Sequence, residues 1–348
     1  MRILWVNGNP NPHFGGTELH TVSMVKELKN MGVDLVLACA PGSFVDKHTH
    51  HVKKFYVSFP RSLHIPGMWS LYKAMREVDP HIVIANNGKE YPDVVYLSKL
   101  FGKKVVLFRH MDRMKQITVR KLVFPLVDLF LAVSGHVKEN LLKEGVSPDK
   151  IQVIYNLIDE GRFKPSQKPE HPINILFVGK VDEGKGVWDL LRAFERLTKT
   201  RDDVRLYIVG DGRELPRVRA YVEDKAIKDR VHMVGYTDKV EEYYSLSHIC
   251  VVPSREREAF PRVAIEALAS GCALVVSHIG GTKEAVREKE NGFVFRAGDV
   301  EDLYQKLLLS IENWRVFTQN SLELYRKNFS KERTLSKFLS VLEDLLKR

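Results

Sequence analysis

Two glutamates eight positions apart, Glu258 and Glu266, lie in the stretch VVPSREREAFPRVAIEALASG, residues 251–271. Residues 249–252 read as a buried strand that turns at Pro253-Ser254. A loop of Arg255, Glu256, Arg257 and Glu258 follows, then a helix with Val263, Ala264, Ala267 and Leu268 on its apolar face. Pro261 suits the first helical turn, where its missing N–H costs nothing. One carboxylate therefore stands at the mouth of a strand-to-helix turn and the other projects from the helix. Taken alone, the spacing more readily describes a solvated acidic face.

Three other groups of residues could act on a ligand. In FVGKVDEGKG, Gly179, Lys180, Gly184, Lys185 and Gly186 stand between a strand and a helix. Backbone N–H groups, the helix dipole and two ammonium groups converge there, as a diphosphate clamp would need. The order is not that of a Walker P-loop, and a solvated loop is the competing reading. Gly15 and Gly16 open a helix after GNPNPHF and would let backbone approach an anion, although the G-x-G-x-x-G spacing is absent. His110 and Asp112, in FRHMD, stand just past the carboxyl end of a strand, the edge where open parallel sheets bind ligands.

The elements that must carry these residues repeat twice. Strand, glycine-rich turn, helix and strand at 2–7, 8–16, 17–30 and 33–39 open a doubly wound α/β domain. Strands at 81–85, 105–108, 129–134 and 151–155 extend it, with helices at 69–77, 91–101 and 135–144. Residues 156–172 are polar and hold Pro165, Pro169 and Pro172, which marks a domain boundary. Beyond it, strands at 173–179, 204–209, 231–235, 249–252, 273–277 and 293–296 alternate with helices at 187–199, 214–225, 238–246 and 299–312, and Glu284 starts another. A last helix at 332–347 has Leu335, Phe338, Leu339, Leu342 and Leu345 at helical spacing, so it needs a surface to cover and could strap two domains together.

Composition narrows the class. A chain of 348 residues, 44% apolar and 28% charged, suits two soluble domains. The N-terminal apolar run stops at Val6, which gives no secretory signal, and the run 122–133 contains Pro125 and Asp128 and is too short to span a bilayer. Cys39, Cys250 and Cys272 have no metal-like spacing and read as core residues of a reduced compartment. Up to Glu170 there are 24 Lys and Arg against 16 Asp and Glu, so the first half suits an anionic partner. Arg109, Arg113, Lys115, Arg120 and Lys121 alternate with Met111, Met114, Ile117, Val119 and Leu122. No aromatic residues interleave there as base-stacking platforms, so the pattern is amphipathic rather than nucleic-acid-like.

In combination these residues resemble family 4 glycosyltransferases (glycosyl transferases group 1), which have the GT-B fold. The resemblance is carried in order by Gly15-Gly16-Thr17-Glu18, RHMD at 109–112, AVSGHVKENL at 132–141, VIYNLID at 153–159, FVGKVDEGKG, the E-x7-E pair Glu258 and Glu266, SHIGGTKEAV and ENGFVF. It covers almost the whole chain. Two positions depart from it: Lys180 replaces the arginine usual after the first glycine of the phosphate loop, and Leu157 replaces the linker glycine.

The resemblance implies two Rossmann-like domains facing across a cleft: 1–165 for the acceptor, 166–325 for a nucleotide sugar, and 326–348 as a helix packing back on the first. It implies sugar transfer with retention and without a metal or other cofactor. Lys180 and Lys185, with backbone N–H groups of Gly15 and Gly16, would stabilise the departing diphosphate, with Gly179 in the same loop. Glu266 would bind the ribose diol, Glu258 a sugar hydroxyl, and the backbone of Ala259, Phe260 and Pro261 would steady the donor. His110 would hydrogen-bond the sugar, with Asp112 as orienting partner, and Tyr236 would border the base. Arg113, Lys115, Arg120 and Lys121 would meet a glycan or lipid-linked acceptor of envelope polysaccharide or lipopolysaccharide assembly. They would do so at an anionic membrane surface facing the cytoplasm, with no nucleic-acid partner. A nucleotide-sugar epimerase of the same fold and a non-catalytic nucleotide-sugar-binding protein are the competing classes.

Overall fold

The computed structural model describes residues 1–13, 15–112, 114, 116–225 and 227–348. It divides into two compact units, Met1–Leu157 with Lys331–Arg348, and Ile158–Ser330.

In the first unit the strands are β1 (Arg2–Asn7), β2 (Asp34–Cys39), β3 (Lys54–Tyr56), β4 (Ile82–Ala85), β5 (Lys104–Arg109), β6 (Leu129–Ala132) and β7 (Ile151–Val153). Its helices to this point are α1 (Gly16–Asn30), α2 (Phe44–Lys47), α3 (Ile65–Val78), α4 (Tyr91–Leu100), α5 (Ile117–Leu122) and α6 (Gly135–Lys143). The sheet runs β3-β2-β1-β4-β5-β6-β7 and every pairing is parallel. Strand order reverses beside β1, between β1 and β4. Loops leaving their carboxyl ends therefore diverge there and leave room for a ligand. Val-, Ile- and Leu-rich runs such as Ile82–Ala85 are buried on both faces, as parallel strands covered by helices require.

The second unit holds β8 (Ile173–Val178), β9 (Val204–Val209), β10 (Val231–Gly235), β11 (Ile249–Val252), β12 (Ala273–Ser277) and β13 (Gly292–Phe295). Its helices are α7 (Val187–Thr198), α8 (Leu215–Asp224), α9 (Val240–Leu246), α10 (Arg262–Ala269) and α11 (Val300–Asn328). The parallel order β10-β9-β8-β11-β12-β13 reverses beside β8, the strand that feeds the lysine-glycine loop. Leu190, Leu191, Phe194 and Leu197 of α7 lie with Ile175, Phe177, Ile208 and Val251 in one core.

The boundary falls at 157/158 rather than 165/166, because the polar segment beyond Ile158 is anchored in the second unit. Phe163 packs edge-on against Tyr244, with ring centroids 5.5 Å apart. The Lys168 ammonium, buried, donates to the carbonyls of Tyr244 and Ser270 at 3.0 Å each. Helix α11 continues to Asn328, far beyond the 312 expected from the pattern, with Trp314, Phe317, Leu322, Leu324 and Tyr325 buried along it. Glu284 lies in a single 3-10 turn, Thr282–Ala285, rather than at the start of a helix.

The final helix, α12 (Lys331–Lys347), belongs wholly to the first unit. Leu335, Phe338, Leu342 and Leu345 are buried on one face, and Lys331 pairs with Glu27 at 3.2 Å. The Phe338 ring lies 6.0 Å from that of Trp5 in β1. Truncating a fully buried aromatic removes transfer free energy and leaves a cavity. Phe338→Ala should therefore lower the stability of the first unit by about 3–5 kcal/mol, measured as a shift in its denaturant midpoint with an unchanged slope.

Candidate functional site

The mouth of the second sheet is built from the loops after β8, β11 and β12. Gly179 leaves β8 with its N–H donating to the Val209 carbonyl at 3.0 Å. Asp182 then caps a 3-10 turn, its Oδ1 accepting from the Lys185 N–H at 3.0 Å. Gly186, at φ 73°, swings the chain into α7. This turn brings the Lys185 ammonium onto Oε1 of Glu258, which also accepts from the Ser254 hydroxyl at 2.8 Å. Glu258 is buried, so the contact joins a cation of the lysine-glycine loop to the first carboxylate of the E-x7-E pair. Lys180 is 62% exposed and lies 3.5 Å from Asp182.

The loop bearing Glu258 is fixed at several points. Arg255 reaches α7 and grips the buried carboxylate of Asp189 with both arms of its guanidinium, one at 2.6 Å. Arg257 is exposed, and nothing in the structure gives it a role. Phe260 is buried and stacks on Phe329 with centroids 5.7 Å apart. Pro261 caps α10 from outside rather than entering its first turn. Ala259 is half-buried between these anchors.

Glu266 sits on α10 in different surroundings. Its Oε2 accepts from the Tyr244 hydroxyl at 3.0 Å, and Arg262 stands 3.8 Å from Oε1. Burial pushes the Glu266 carboxyl above the usual glutamate range, against the opposing pull of Arg262 and Tyr244. Tyr236, 61% exposed, donates its hydroxyl to Asp238 at 2.7 Å. A cavity of about 640 Å³, lined by Glu183, Trp188, Arg217, Tyr221, Asp224 and Arg255 among others, shares none of the expected donor residues.

The first unit has its own loop edge. Gly15 caps α1 in an extended conformation, and Glu18 folds over it, so that a Cβ on Gly15 would stand 2.7 Å from Glu18 Oε2. Gly16 faces open space. The Glu18 carboxylate also accepts from the Asn9 side-chain amide at 2.9 Å. His110 lies half-buried after β5, its ring stacked at 4.9 Å on Phe108 and edge-on at 4.5 Å to His20. Its Nε2 meets Asn86 Oδ1 at 3.0 Å. Asp112 does not serve as the orienting partner expected for His110: its Oδ1 is engaged by His136 and, at 2.6 Å, by the Asn140 amide. Of the basic residues assigned to an acceptor surface, Arg120 is half-buried and Lys121 exposed on α5, whereas Arg113 and Lys115 fall outside the described residues.

Sequence reasoning missed two residues at this edge, Glu90 and Asn86. Glu90 is fully buried, and its carboxylate accepts backbone N–H groups from Gly8 at 2.7 Å, Asn86 at 2.8 Å and Asn87 at 2.9 Å. One side chain thus ties the loop after β1 to the loop after β4. Burial pushes its carboxyl up to about 8, although the three donors favour the charged form. The polar string NNGKE directly after an apolar strand was the available signal.

The model of glycosyl transferases group 1 matches residues 159–332, and that of glycosyltransferase family 4 matches residues 14–162. The chain belongs to this group of glycosyltransferases. Among curated relatives, the N-acetyl-alpha-D-glucosaminyl L-malate synthase of Bacillus anthracis is 30% identical over 63% of this chain and 60% of its own. A Campylobacter jejuni relative, N-acetylgalactosamine-N,N'-diacetylbacillosaminyl-diphospho-undecaprenol 4-alpha-N-acetylgalactosaminyltransferase, is 26% identical over 69% of this chain and 64% of its own. The match thus spans less than two thirds of either relative. Anabaena HepE, solved in complex with UDP, superposes with a TM-score of 0.86 at 18% identity, covering 99% of this chain and 100% of that one. The likeness identifies the GT-B fold.

The Glu90 clamp makes a definite prediction. Glu90→Gln replaces one acceptor oxygen with an NH2 group, so at least one of its backbone donors is left buried and unpaired. Above a pH of about 8, where the wild-type group is a carboxylate, the first unit should lose about 1–3 kcal/mol, with accelerated amide exchange at Gly8 or at Asn86 and Asn87. Unchanged exchange at all three amides would show that the carboxylate does not hold the loops.

Proposed function

We propose that this chain is a retaining, metal-independent transferase that moves a sugar from a nucleotide-diphosphate sugar to a hydroxyl of a glycan or lipid-linked glycan. The observation that carries the reading is the meeting of Lys185 and Glu258. It joins, at one loop mouth, an ammonium that suits a diphosphate and a carboxylate that suits a sugar hydroxyl. When donor binds, the diphosphate takes the Lys185 ammonium, with Lys180 adding a second charge. Glu258 is then released toward a sugar hydroxyl. Backbone of Gly179 and of residues 259–261 borders the donor, Glu266 accepts both ribose hydroxyls, and Tyr236 flanks the base. On the first unit, taken by itself, Gly15 and Gly16 are read as backbone donors to a diphosphate and His110 as a sugar contact.

The reaction breaks the bond between the anomeric carbon and the diphosphate oxygen and forms one to the acceptor oxygen on the same face. The departing diphosphate takes the acceptor's proton and leaves as nucleoside diphosphate. Negative charge grows on that group as the bond breaks, so ammonium groups already in place lower the barrier without reorganising. The Anabaena protein's UDP makes uracil the first base to test. The Campylobacter relative's diphospho-undecaprenol acceptor supports a lipid-linked glycan of envelope polysaccharide or lipopolysaccharide assembly. No described helix is long and apolar enough to cross a membrane. Ile117 and Leu122 are 56% and 63% exposed on the same helix as Lys121, and Met111 is 65% exposed. This apolar and basic surface suits peripheral contact with anionic lipid on the cytoplasmic side.

Three outcomes test the reading. A saturating nucleotide sugar, at one hundred times its dissociation constant, should stabilise the protein by about 2.7 kcal/mol; a panel of UDP-, GDP- and ADP-sugars read by thermal shift identifies the base, and no shift from any of them sinks the proposal. Transfer should persist in EDTA with the anomeric configuration retained in the product by NMR, whereas sugar isomerisation without acceptor would indicate an epimerase and donor binding without turnover a non-catalytic protein. Glu266→Ala should raise donor KM about 10- to 100-fold, as loss of hydrogen bonds to a charged group predicts, and Glu258→Ala should chiefly lower kcat.

The Glu266 carboxylate is the form that accepts the ribose hydroxyls, and its pKa is raised. Nucleotide affinity should therefore fall on acidification, beginning at a pH above the 4.5 ordinary for glutamate. Calorimetric titration across that range should show this step in the wild type and not in Glu266→Gln.

A further inference from the structure

We infer that Asn86 is a positioning residue that fixes the neutral His110 ring with its proton on Nε2. The hydrogens around Thr21, which is buried in α1, determine this assignment. The Thr21 hydroxyl lies 3.0 Å from the Thr17 carbonyl, an atom that can only accept, and its single hydrogen is committed there. Its oxygen therefore accepts from its other two neighbours, the side-chain amides of Asn7 at 2.8 Å and Asn86 at 2.6 Å. The Asn86 NH2 is held on the same side by a second acceptor, the Thr17 carbonyl at 3.2 Å. A flipped amide would set Asn86 Oδ1 against that carbonyl, with no hydrogen between them.

The direction of the amide is thus determined, and Oδ1 is what Asn86 presents to His110 Nε2 at 3.0 Å. An amide oxygen has no hydrogen to give, so Nε2 must carry one in both the neutral and the charged ring. Phe108 and His20 pack on the imidazole and hold its plane. Asn86 is itself anchored, because its backbone N–H donates to the buried carboxylate of Glu90. In the neutral ring the accepting lone pair is then the one on Nδ1, which deepens the role proposed above and rests on it.

Nitrogen-15 NMR of the histidine rings in the ligand-free wild type tests the assignment without any turnover. At a pH where His110 is neutral, Nε2 should give the shift of a protonated ring nitrogen and Nδ1 that of a bare one. A ring protonated on Nδ1, or an even mixture, overturns the inference. In Asn86→Leu the spectrum should move toward a mixture, while kcat for transfer falls about 10- to 100-fold, as misplacement of a reacting contact predicts. Thr21→Val, which leaves both Asn86 and His110 in place, should shift the tautomer in the same sense. Wild-type tautomer populations in both variants would also overturn it. His110→Ala separates this inference from the reading beneath it: transfer as fast as wild type would remove the sugar-contact role, whereas the tautomer is read independently.

Discussion

The loop that carries Glu258 is held by backbone pressed against backbone, and the rest of the second unit's edge depends on that closeness. A Cβ on Gly186 would stand 1.8 Å from the Pro253 carbonyl oxygen, and one on Gly280 would stand 1.8 Å from the carbonyl oxygen of Glu258. Neither neighbour is a side-chain tip that could swing away. Both glycines also adopt positive φ, at 73° and 56°, which side-chain-bearing residues rarely take. The loops after β8 and β12 therefore wedge the loop after β11 from two directions. The Gly281 N–H adds a bond to the Glu258 carbonyl at 3.0 Å, and Arg255 locks the same loop onto Asp189. Lys185 reaches Glu258 because the turn it sits on cannot move away.

The first unit solves the same problem with polar side chains. At its loop edge the backbone donors of Gly8, Asn86 and Asn87 all end on one carboxylate, and Thr21 gathers two amides around one hydroxyl. Buried groups of this kind are costly unless every partner is present. With three donors on Glu90 and two amides on Thr21, this edge accordingly admits few alternative arrangements. The two edges thus share topology but differ in how precision is obtained, by steric exclusion in one and by hydrogen-bond accounting in the other.

Much of this was legible in the chain. Alternating buried strands and amphipathic helices gave both sheets, and the glycine-rich turns marked which strand ends carry loops. Edge strand β3 escaped notice because three residues, Lys54–Tyr56, one of them charged, show too little period to be read. The length of α11 was underestimated because its buried positions beyond Trp314 are spaced among charged residues. Contacts far apart in sequence were not legible at all. Arg255 finds Asp189 across 66 positions, and Gly8 finds Glu90 across 82. Asp112, close to His110 in sequence, instead faces His136 and Asn140, because the turn after β5 directs it toward α6. Local pattern reports which face of an element is apolar, while the partner of a buried charge is set by topology.

The two carboxylates of the E-x7-E pair are equivalent as letters and unlike as groups. Glu258 is in direct contact with an ammonium and a hydroxyl, so its charge is already balanced by a side chain that a diphosphate would also attract. Glu266 lies against a phenol, with the nearest guanidinium at 3.8 Å, and burial disfavours its charged form. An anionic ligand that draws Lys185 away leaves Glu258 buried with a lone pair to fill, and a hydroxyl on that ligand is the group that fills it at least cost. Glu266 gains from any pair of hydroxyls that replaces lost hydration, without needing a cation to move. The difference in surroundings therefore supports the proposed division, with one carboxylate coupled to a diphosphate and the other holding a diol, and that division rests on the loops that place them rather than on their spacing.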